Sequence, residues 1–341
     1  MSVLKDIIAK IADRIDLTEK EAEGAMHAIM RGEATDAQIA AYLMGLRLKG
    51  ETIEEITGSV RAMRDLAIRI PINDPQIVDT CGTGGDQSHT FNISTAAAFV
   101  LAGANITVAK HGNRSVSSRS GSADVLSALG VNIELPPQKV GDCINEVGIG
   151  FLFAPLYHGA MKHCAKPRAE LGIRTLMNIM GPLSNPAGAS IQVLGVYDGA
   201  LTEKLAQVLI RLGTQHCFVL HGMDGLDEIS ITSPTTISEG KKGRVQSYVI
   251  RPEDFGLQPV APKDLLGGTP QDNAQIIRDI LRGSSGPKRD IVLVNAAPAF
   301  VACNKATSLK EGFEEAGRVL DSGAPFEKLE QLISYTQELA K

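Results

Sequence analysis

The sequence predicts an α/β protein, with a small N-terminal helical domain ahead of a larger α/β domain built on a mainly parallel central sheet. Three observations predict it. Capping boxes recur through the first part of the chain, Pro71-Ile72-Asn73-Asp74-Pro75 then breaks that pattern, and the residues beyond it alternate strand, Gly-rich turn and helix.

Leu4, Ile7, Ile8, Ile11 and Ile15 fall on one face at helical spacing. Thr18 with Glu21, Thr35 with Gln38 and Thr52 with Glu55 each set a hydroxyl N-cap three residues before an acid or amide, which satisfies orphan amides reciprocally. Their spacing of roughly 17 residues predicts short helices in a compact bundle, and Pro71–Pro75 reads as a linker. Beyond it, Ile77-Val78-Asp79 is a short buried strand followed by Gly82-Thr83-Gly84-Gly85-Asp86. Thr95–Gly103 reads as a helix, Ile106–Ala109 as a strand, and Ala123–Leu129 as a helix closed by Gly130. Val131–Leu135, Phe151–Ala154, Ile191–Val196 and Cys217–Leu220 are further strands, with the helix Leu201–Leu212 between the last two. Met161 to Pro186 lacks strand character and carries Gly181-Pro182 and Asn185-Pro186, so it either returns to the helical domain or forms a hinge. The expected boundaries are 1–72 for the helical domain, joined by about 164–190, with 73–163 and 191–341 forming the α/β domain.

The 341 residues carry 34 Lys+Arg against 39 Asp+Glu, a formal charge of −5, with 43% hydrophobic and 21% charged residues. These are ordinary values for a folded chain and exclude a mostly disordered one. Mild acidity argues against general nucleic-acid binding, and 4% aromatics without any Trp supply few platforms for stacking bases. The N-terminal residues carry charges throughout, so no secretory signal is expected. The weakly polar runs Ala96–Ala104 and Ile291–Ala302 fall short of the roughly 20 residues that cross a bilayer, so no membrane partner is expected either. Cys81, Cys143, Cys164, Cys217 and Cys303 are scattered without CxxC spacing and read as reduced thiols of a cytoplasmic protein.

Three segments carry chemistry. Gly82–Asp86 follows a strand directly, and three glycines in four positions let backbone amides approach an anion. Alone it is as well explained as a tight turn, but Asn92-Ile93-Ser94-Thr95 opens the next helix and adds a helix-terminal phosphate site. Lys110-His111-Gly112-Asn113-Arg114 follows the next strand, and residues 114–122 hold two arginines and five serines, which suits a flap over a polyanion around Ser117, Ser118 and Arg119. A solvated loop is the alternative. The third segment, Asp224-Gly225-Leu226-Asp227-Glu228, offers adjacent hard carboxylates suited to Mg²⁺ beside a phosphate, or an acidic turn in solvent. His163 beside Cys164 has no evident orienting partner, and His27, His89 and His216 read as packing or surface residues.

Together these residues resemble the anthranilate phosphoribosyltransferase family over essentially the whole chain. The motifs that carry the resemblance are Asp79-Thr-Cys-Gly-Thr-Gly-Gly-Asp86, Asn92–Thr95, Lys110–Arg114 with Ser117-Ser118 and Gly121-Ser-Ala-Asp124, Arg168-Ala-Glu-Leu-Gly-Ile-Arg174, Gly181–Pro186 and Asp224–Glu228. Ser115 and Met177-Asn-Ile-Met180 depart slightly from the usual pattern. The resemblance implies transfer of the phosphoribosyl group of phosphoribosyl pyrophosphate (PRPP) to the amine of anthranilate, with release of pyrophosphate, in tryptophan biosynthesis. It implies a site in the cleft between the domains and a homodimer formed through the helical domain, with the apolar face of the first helix a candidate for that contact. PRPP would be held by Gly82, Gly85, Asp86, Thr90, Asn92, Ile93, Ser94, Thr95, Lys110, His111, Gly112, Asn113, Arg114, Ser115, Val116, Ser117, Ser118 and Ser122. Ser94, Asp227 and Glu228 would reach two Mg²⁺ ions. Anthranilate would be held by Gly82, Asn113 and Arg168 near His158 and Pro182, with Arg168 facing its carboxylate; Lys110, His111 and Arg168 are the candidate catalytic residues. Association with an anthranilate synthase subunit stays open. The alternatives are a pyrimidine nucleoside phosphorylase-like enzyme, whose Lys-His-Ser-type first loop is not what stands here, and a nucleic-acid-binding relative, whose basic surface conflicts with the charge.

Overall fold

The computed structural model describes residues 3–86, 88–115 and 120–339. The chain opens with four helices, α1 (Val3–Ala12), α2 (Glu19–Met30), α3 (Asp36–Lys49) and α4 (Ile53–Leu66). Thr18, Thr35 and Thr52 each accept the predicted amide while the residue three positions on caps back. α1 stops before Ile15 because Arg14 takes a left-handed φ of 58°, and Ile15 is half exposed. Leu4, Ile7 and Ile11 are buried against α2 and α3 of the same chain, so these three residues serve intrachain packing, while Ile8 is only partly buried.

The second layer runs in order through β1 (Ile77–Gly82), α5 (Ile93–Gly103), β2 (Thr107–Gly112), α6 (Ser122–Leu129), α7 (Pro137–Val147), β3 (Ile149–Phe153) and a single turn, α8 (Ala154–Tyr157). α9 (Lys162–Leu171) and α10 (Leu176–Leu183) come next, then β4 (Ile191–Gly195), α11 (Thr202–Arg211), β5 (His216–Gly222) and the hairpin β6 (Thr235–Lys241) and β7 (Arg244–Ile250). Four helices close the chain, α12 (Pro270–Leu281), α13 (Pro287–Ala302), α14 (Leu309–Asp321) and α15 (Ala324–Glu338). One seven-stranded sheet runs β3-β2-β1-β4-β5-β6-β7, parallel from β3 to β5 and antiparallel at the β6–β7 edge.

Residues alternate across this sheet with period two. On β5, Phe218 and Leu220 face a core shared with α5, α6 and α12–α15, while Cys217 and Val219 face a second core shared with α1–α4, α10 and α11. α9 and α10 pack against α2, α3 and α4, with Cys164, Leu176 and Met180 fully buried there, so this stretch lies in the helical layer. Val131–Leu135 is not a strand. Its amides turn to side chains instead, Asn132 N–H donating to Thr336 Oγ1 at 3.2 Å and Glu134 N–H to Asn132 Oδ1 at 3.0 Å, while Val131, Ile133 and Leu135 are buried. The apolar run to Ala302 is the 16-residue α13, whose Ile291–Phe300 stretch is buried throughout. Among the described residues no helix is long and apolar enough to cross a membrane.

Strand order reverses beside β1, since β2 and β3 lie on one side of it and β4 and β5 on the other. In an open α/β sheet that reversal leaves a crevice at the carboxyl ends of the strands, where ligands bind.

Candidate active site

β1, β2, β4 and β5 all end in glycine at this crevice, at Gly82, Gly112, Gly195 and Gly222. Gly82 and Gly195 are register partners across the β1–β4 ladder. Their missing side chains admit the loop after β5: a Cβ at Gly82 would lie 2.5 Å from Asp227 Oδ2, and one at Gly195 would lie 1.5 Å from the Asp227 carbonyl oxygen. The third segment thus reaches the first because these strand ends are bare.

Gly84 and Gly85 take positive φ of 67° and 75°, which turns the loop so that the Gly84 N–H donates to Asp227 Oδ2 at 2.8 Å. At the start of α5, Asn92 does not cap the helix with its side chain; its amide donates to Ser120 O and accepts from Asn273 Nδ2 at 3.0 Å. Ser94 N–H donates instead to Glu228 Oε1 at 3.1 Å. Ile93 is anchored in the core, Thr95 is buried, and Thr90 is held by a bridge to Leu266. Asp86 accepts from the Ser88 hydroxyl.

Lys110 is buried on β2, and its ammonium donates to Thr80 O and to Ser94 Oγ, the latter at 3.2 Å. Burial lowers its pKa, partly offset by Asp79, Glu228 and Asp227. The next residue, His111, donates its backbone N–H to Asp79 Oδ1 at 3.1 Å, and its ring meets that of His158 edge-on with centroids 5.2 Å apart. Burial pushes His111 down to about 3 and His158 to about 4, so both imidazoles are neutral near pH 7. Gly112 has Ser122 Oγ pressed against it, and Ser122 reaches Asn113 O at 3.5 Å. Asp124 gathers the following loop, accepting from Arg114 Nη1 at 3.2 Å and from the Ser115 N–H at 3.0 Å. Val116, Ser117, Ser118 and Arg119, expected to form the flap, lie outside the described residues.

Arg168, on α9, is partly buried, and its guanidinium makes no hydrogen bond or ion pair among the described residues; burial lowers its pKa. The Pro182 carbonyl accepts from Gln192 Nε2 at 2.6 Å. His163 and Cys164 make no nucleophile: burial pushes the thiol up to about 11. His216 and His27 sit beside acids, Glu239 at 2.8 Å and Asp65 at 3.7 Å.

The helical-bundle model of the glycosyl transferase family matches residues 5–67, and the a/b-domain model of that family matches residues 74–326. Anthranilate phosphoribosyltransferase from Symbiobacterium thermophilum is 54% identical over 336 residues, 98% of either chain. The enzyme of that name from Desulfosudis oleivorans is 55% identical over 331 residues, 97% of this chain and 98% of that one. The chain belongs to the anthranilate phosphoribosyltransferase family. The crystal structure of the family's Thermus thermophilus member superposes with a TM-score of 0.93 at 42% identity, covering 99% of this chain and all of that one. The Saccharomyces cerevisiae member in complex with PRPP and Mg superposes with a TM-score of 0.89 at 27% identity, over 98% of each chain.

Within this family member, the acidic residues at the crevice are crowded. Burial and the charges of Asp86 and Asp227 raise the pKa values of Asp227 and Glu228, and Lys110 offsets this only in part. Hard oxygen ligands, recessed yet partly open, whose ionised forms lack a sufficient positive partner, fit a divalent cation of the Mg²⁺ type. Sequence reasoning assigned no role to the groups that brace the site. Asp79, fully buried and raised to about 6 by that burial, ties the His111 backbone to Gln192. Arg174 donates to Gly85 O and lies 4.2 Å from the centre of the Tyr197 ring, joining the helical layer to the glycine loop. Asn185 donates to Ala109 O at 2.9 Å. The run of glycine-ended strands was the one sequence signal that could have placed Asp227 beside Gly82.

Proposed function

We propose that this crevice transfers the phosphoribosyl group of PRPP to the amine of anthranilate, giving N-(5-phosphoribosyl)anthranilate and pyrophosphate, the second step of tryptophan biosynthesis from chorismate. The observation that carries the reading is the meeting, at the switch point of the sheet, of the glycine loop, the open first turn of α5 and the acidic pair, in a chain of this family. Departure of pyrophosphate leaves oxocarbenium character on the ribose and negative charge on the leaving group, so catalysis is chiefly stabilisation of that charge and placement of the amine. Gly82–Asp86, Thr90 and Asn92–Thr95 supply amides and hydroxyls to PRPP, and Lys110–Ser118 with Ser122 complete the set of residues assigned to it. Lys110 contributes a buried positive charge beside Ser94. Ser94, Asp227 and Glu228 are the residues that would hold two Mg²⁺ ions, which when bound neutralise the growing charge on pyrophosphate.

Anthranilate's aromatic amine is neutral near pH 7, so no strong base is required, in keeping with His111 and His158 being neutral. These two rings, Asn113, Gly82 and Pro182 line the acceptor's approach, and the unpaired Arg168 receives its carboxylate through a charge-assisted bond. The S. cerevisiae member in complex with 4-fluoroanthranilate superposes with a TM-score of 0.88, which supports an acceptor of this kind. Self-association through the helical layer is supported by Leu48 and Ile15, two large apolar side chains that stand exposed there. Five buried free cysteines fit a reducing, cytoplasmic setting.

The test is turnover. Anthranilate with PRPP and Mg²⁺ should give product and pyrophosphate in equal amounts, whereas thymidine with phosphate should not react and duplex DNA should not be retarded. Asp227→Asn with Glu228→Gln should fold normally, lose most of kcat and regain part of it at high Mg²⁺. Wild-type kinetics in that double variant would reduce the acidic pair to a structural link between the loops.

A further inference from the structure

We propose that Asp227 and Glu228 make the site selective for metal-complexed diphosphate by covering, in the unloaded chain, the backbone amides that diphosphate would use. This selectivity rests on the phosphoribosyl-transfer reading of the same crevice and adds to it a second role for the acidic pair.

The two amides best placed for an anion are already engaged. Gly84 N–H, at the turn of the glycine loop, ends on Asp227 Oδ2 at 2.8 Å, and Ser94 N–H, in the open first turn of α5, ends on Glu228 Oε1 at 3.1 Å. Each is a carboxylate standing where a phosphate oxygen would stand. The main chain behind the pair is already seated on β4, Asp227 O filling the space that bare Gly195 leaves open, and the missing Cβ of Gly82 lets the Asp227 carboxylate reach the glycine loop. The side chains are the parts free to turn without opening that contact.

A metal-free diphosphate entering this crevice meets three carboxylates, those of Asp86, Asp227 and Glu228, which Lys110 offsets only in part. It would have to displace two charge-assisted hydrogen bonds against that repulsion. A diphosphate carrying divalent cations gives the carboxylates another partner. Asp227 and Glu228 can then turn to the cations and release the exposed Gly84 and half-buried Ser94 amides to phosphate oxygens, so that both donors keep an anionic partner in either state. The glycine loop is therefore a phosphate cradle that opens only to the complexed ligand.

The test uses inorganic pyrophosphate and the full chain, by calorimetry, in the presence of a chelator and again with Mg²⁺. In chelator, Asp227→Ala should bind pyrophosphate about tenfold tighter than wild type, the scale of one charge-assisted hydrogen bond freed. Asp86→Ala is the charge control: it removes one negative charge from the same crevice, but its carboxylate accepts from Ser88 and covers neither amide. Its gain should be clearly smaller. Equal gains in the two variants, or no gain in Asp227→Ala, overturn the proposal. An independent readout needs no variant: in wild type the backbone amide resonances of Gly84 and Ser94 should move when Mg²⁺ is added without phosphate. Resonances that stay in place overturn it as well. Failure of wild type to bind pyrophosphate even with Mg²⁺ would instead remove the transferase reading itself.

Discussion

Gly195→Ala puts the architecture of the crevice to a quantitative test. The new Cβ would lie 1.5 Å from the Asp227 carbonyl oxygen, 2.4 Å from its carbon and 3.2 Å from its Cα. All three are backbone atoms, so no rotamer change relieves the clash. β4 cannot yield easily, because Gly195 is in register with Gly82 on one side and with Leu220 on the other, and its carbonyl accepts the Thr83 N–H at 2.9 Å. The loop carrying Asp227 and Glu228 must therefore move by about 1.9 Å, the difference between 1.5 Å and the 3.4 Å at which ordinary contact begins. A cost of about 1–3 kcal/mol in stability is expected from such overpacking. The effect on catalysis should be larger in proportion, since misplacing a charge-stabilising group by about 1 Å can cost about 100-fold. We expect a folded variant whose kcat/KM falls by about 100-fold or more and whose rate reaches half-maximum at higher Mg²⁺, measured from initial rates with anthranilate and PRPP. Circular dichroism and the unfolding midpoint separate this from global collapse. A folded variant with kcat/KM within about threefold of wild type would refute the claim that the Asp227 backbone must occupy the space above Gly195.

Three further outcomes are expected. Arg168→Ala should raise the KM for anthranilate by about 10- to 150-fold with little change for PRPP if, as proposed, the guanidinium pairs with the acceptor's carboxylate; equal changes for both substrates would remove that role. His158 is held neutral to about pH 4 by burial, whereas in the unfolded chain it titrates near 6.5. The unfolded state therefore binds the extra proton, and this histidine's contribution is fully present above pH 6.5 and lost as pH falls toward 4. Urea unfolding of wild type and His158→Gln between pH 7 and 5 should show a wild-type slope steeper by about 1.4 kcal/mol per unit below 6.5, and parallel slopes would contradict the burial argument. Gly24 is exposed within α2, with ordinary φ and nothing within 4 Å of an added Cβ, so Gly24→Ala should stabilise the protein by about 0.5–1 kcal/mol without altering kinetics, read from denaturant midpoints.

The local grammar of the chain determined much of the molecule. Thr18, Thr35 and Thr52 cap their helices through contacts three residues long, and Gly130 ends α6 in the left-handed conformation, because such hydrogen bonds and backbone preferences depend only on near neighbours. The glycine loop, the start of α5 and the acidic pair were likewise legible as separate candidate partners for an anion and a cation. What they do to one another was not. Asp227 meets Gly84 across 143 residues and Glu228 meets Ser94 across 134, contacts that exist only because β4 and β5 lie beside β1 with bare ends. Tertiary packing also decided that Leu4, Ile7 and Ile11 face inward and that Val131–Leu135 leans on α15 without a strand partner. It gave Asp79, Gln192 and Arg174 their bracing roles as well. Periodicity states that a face must be buried and alternation that a strand can pair, but which neighbour satisfies either is set by the sheet order, a property of the whole chain.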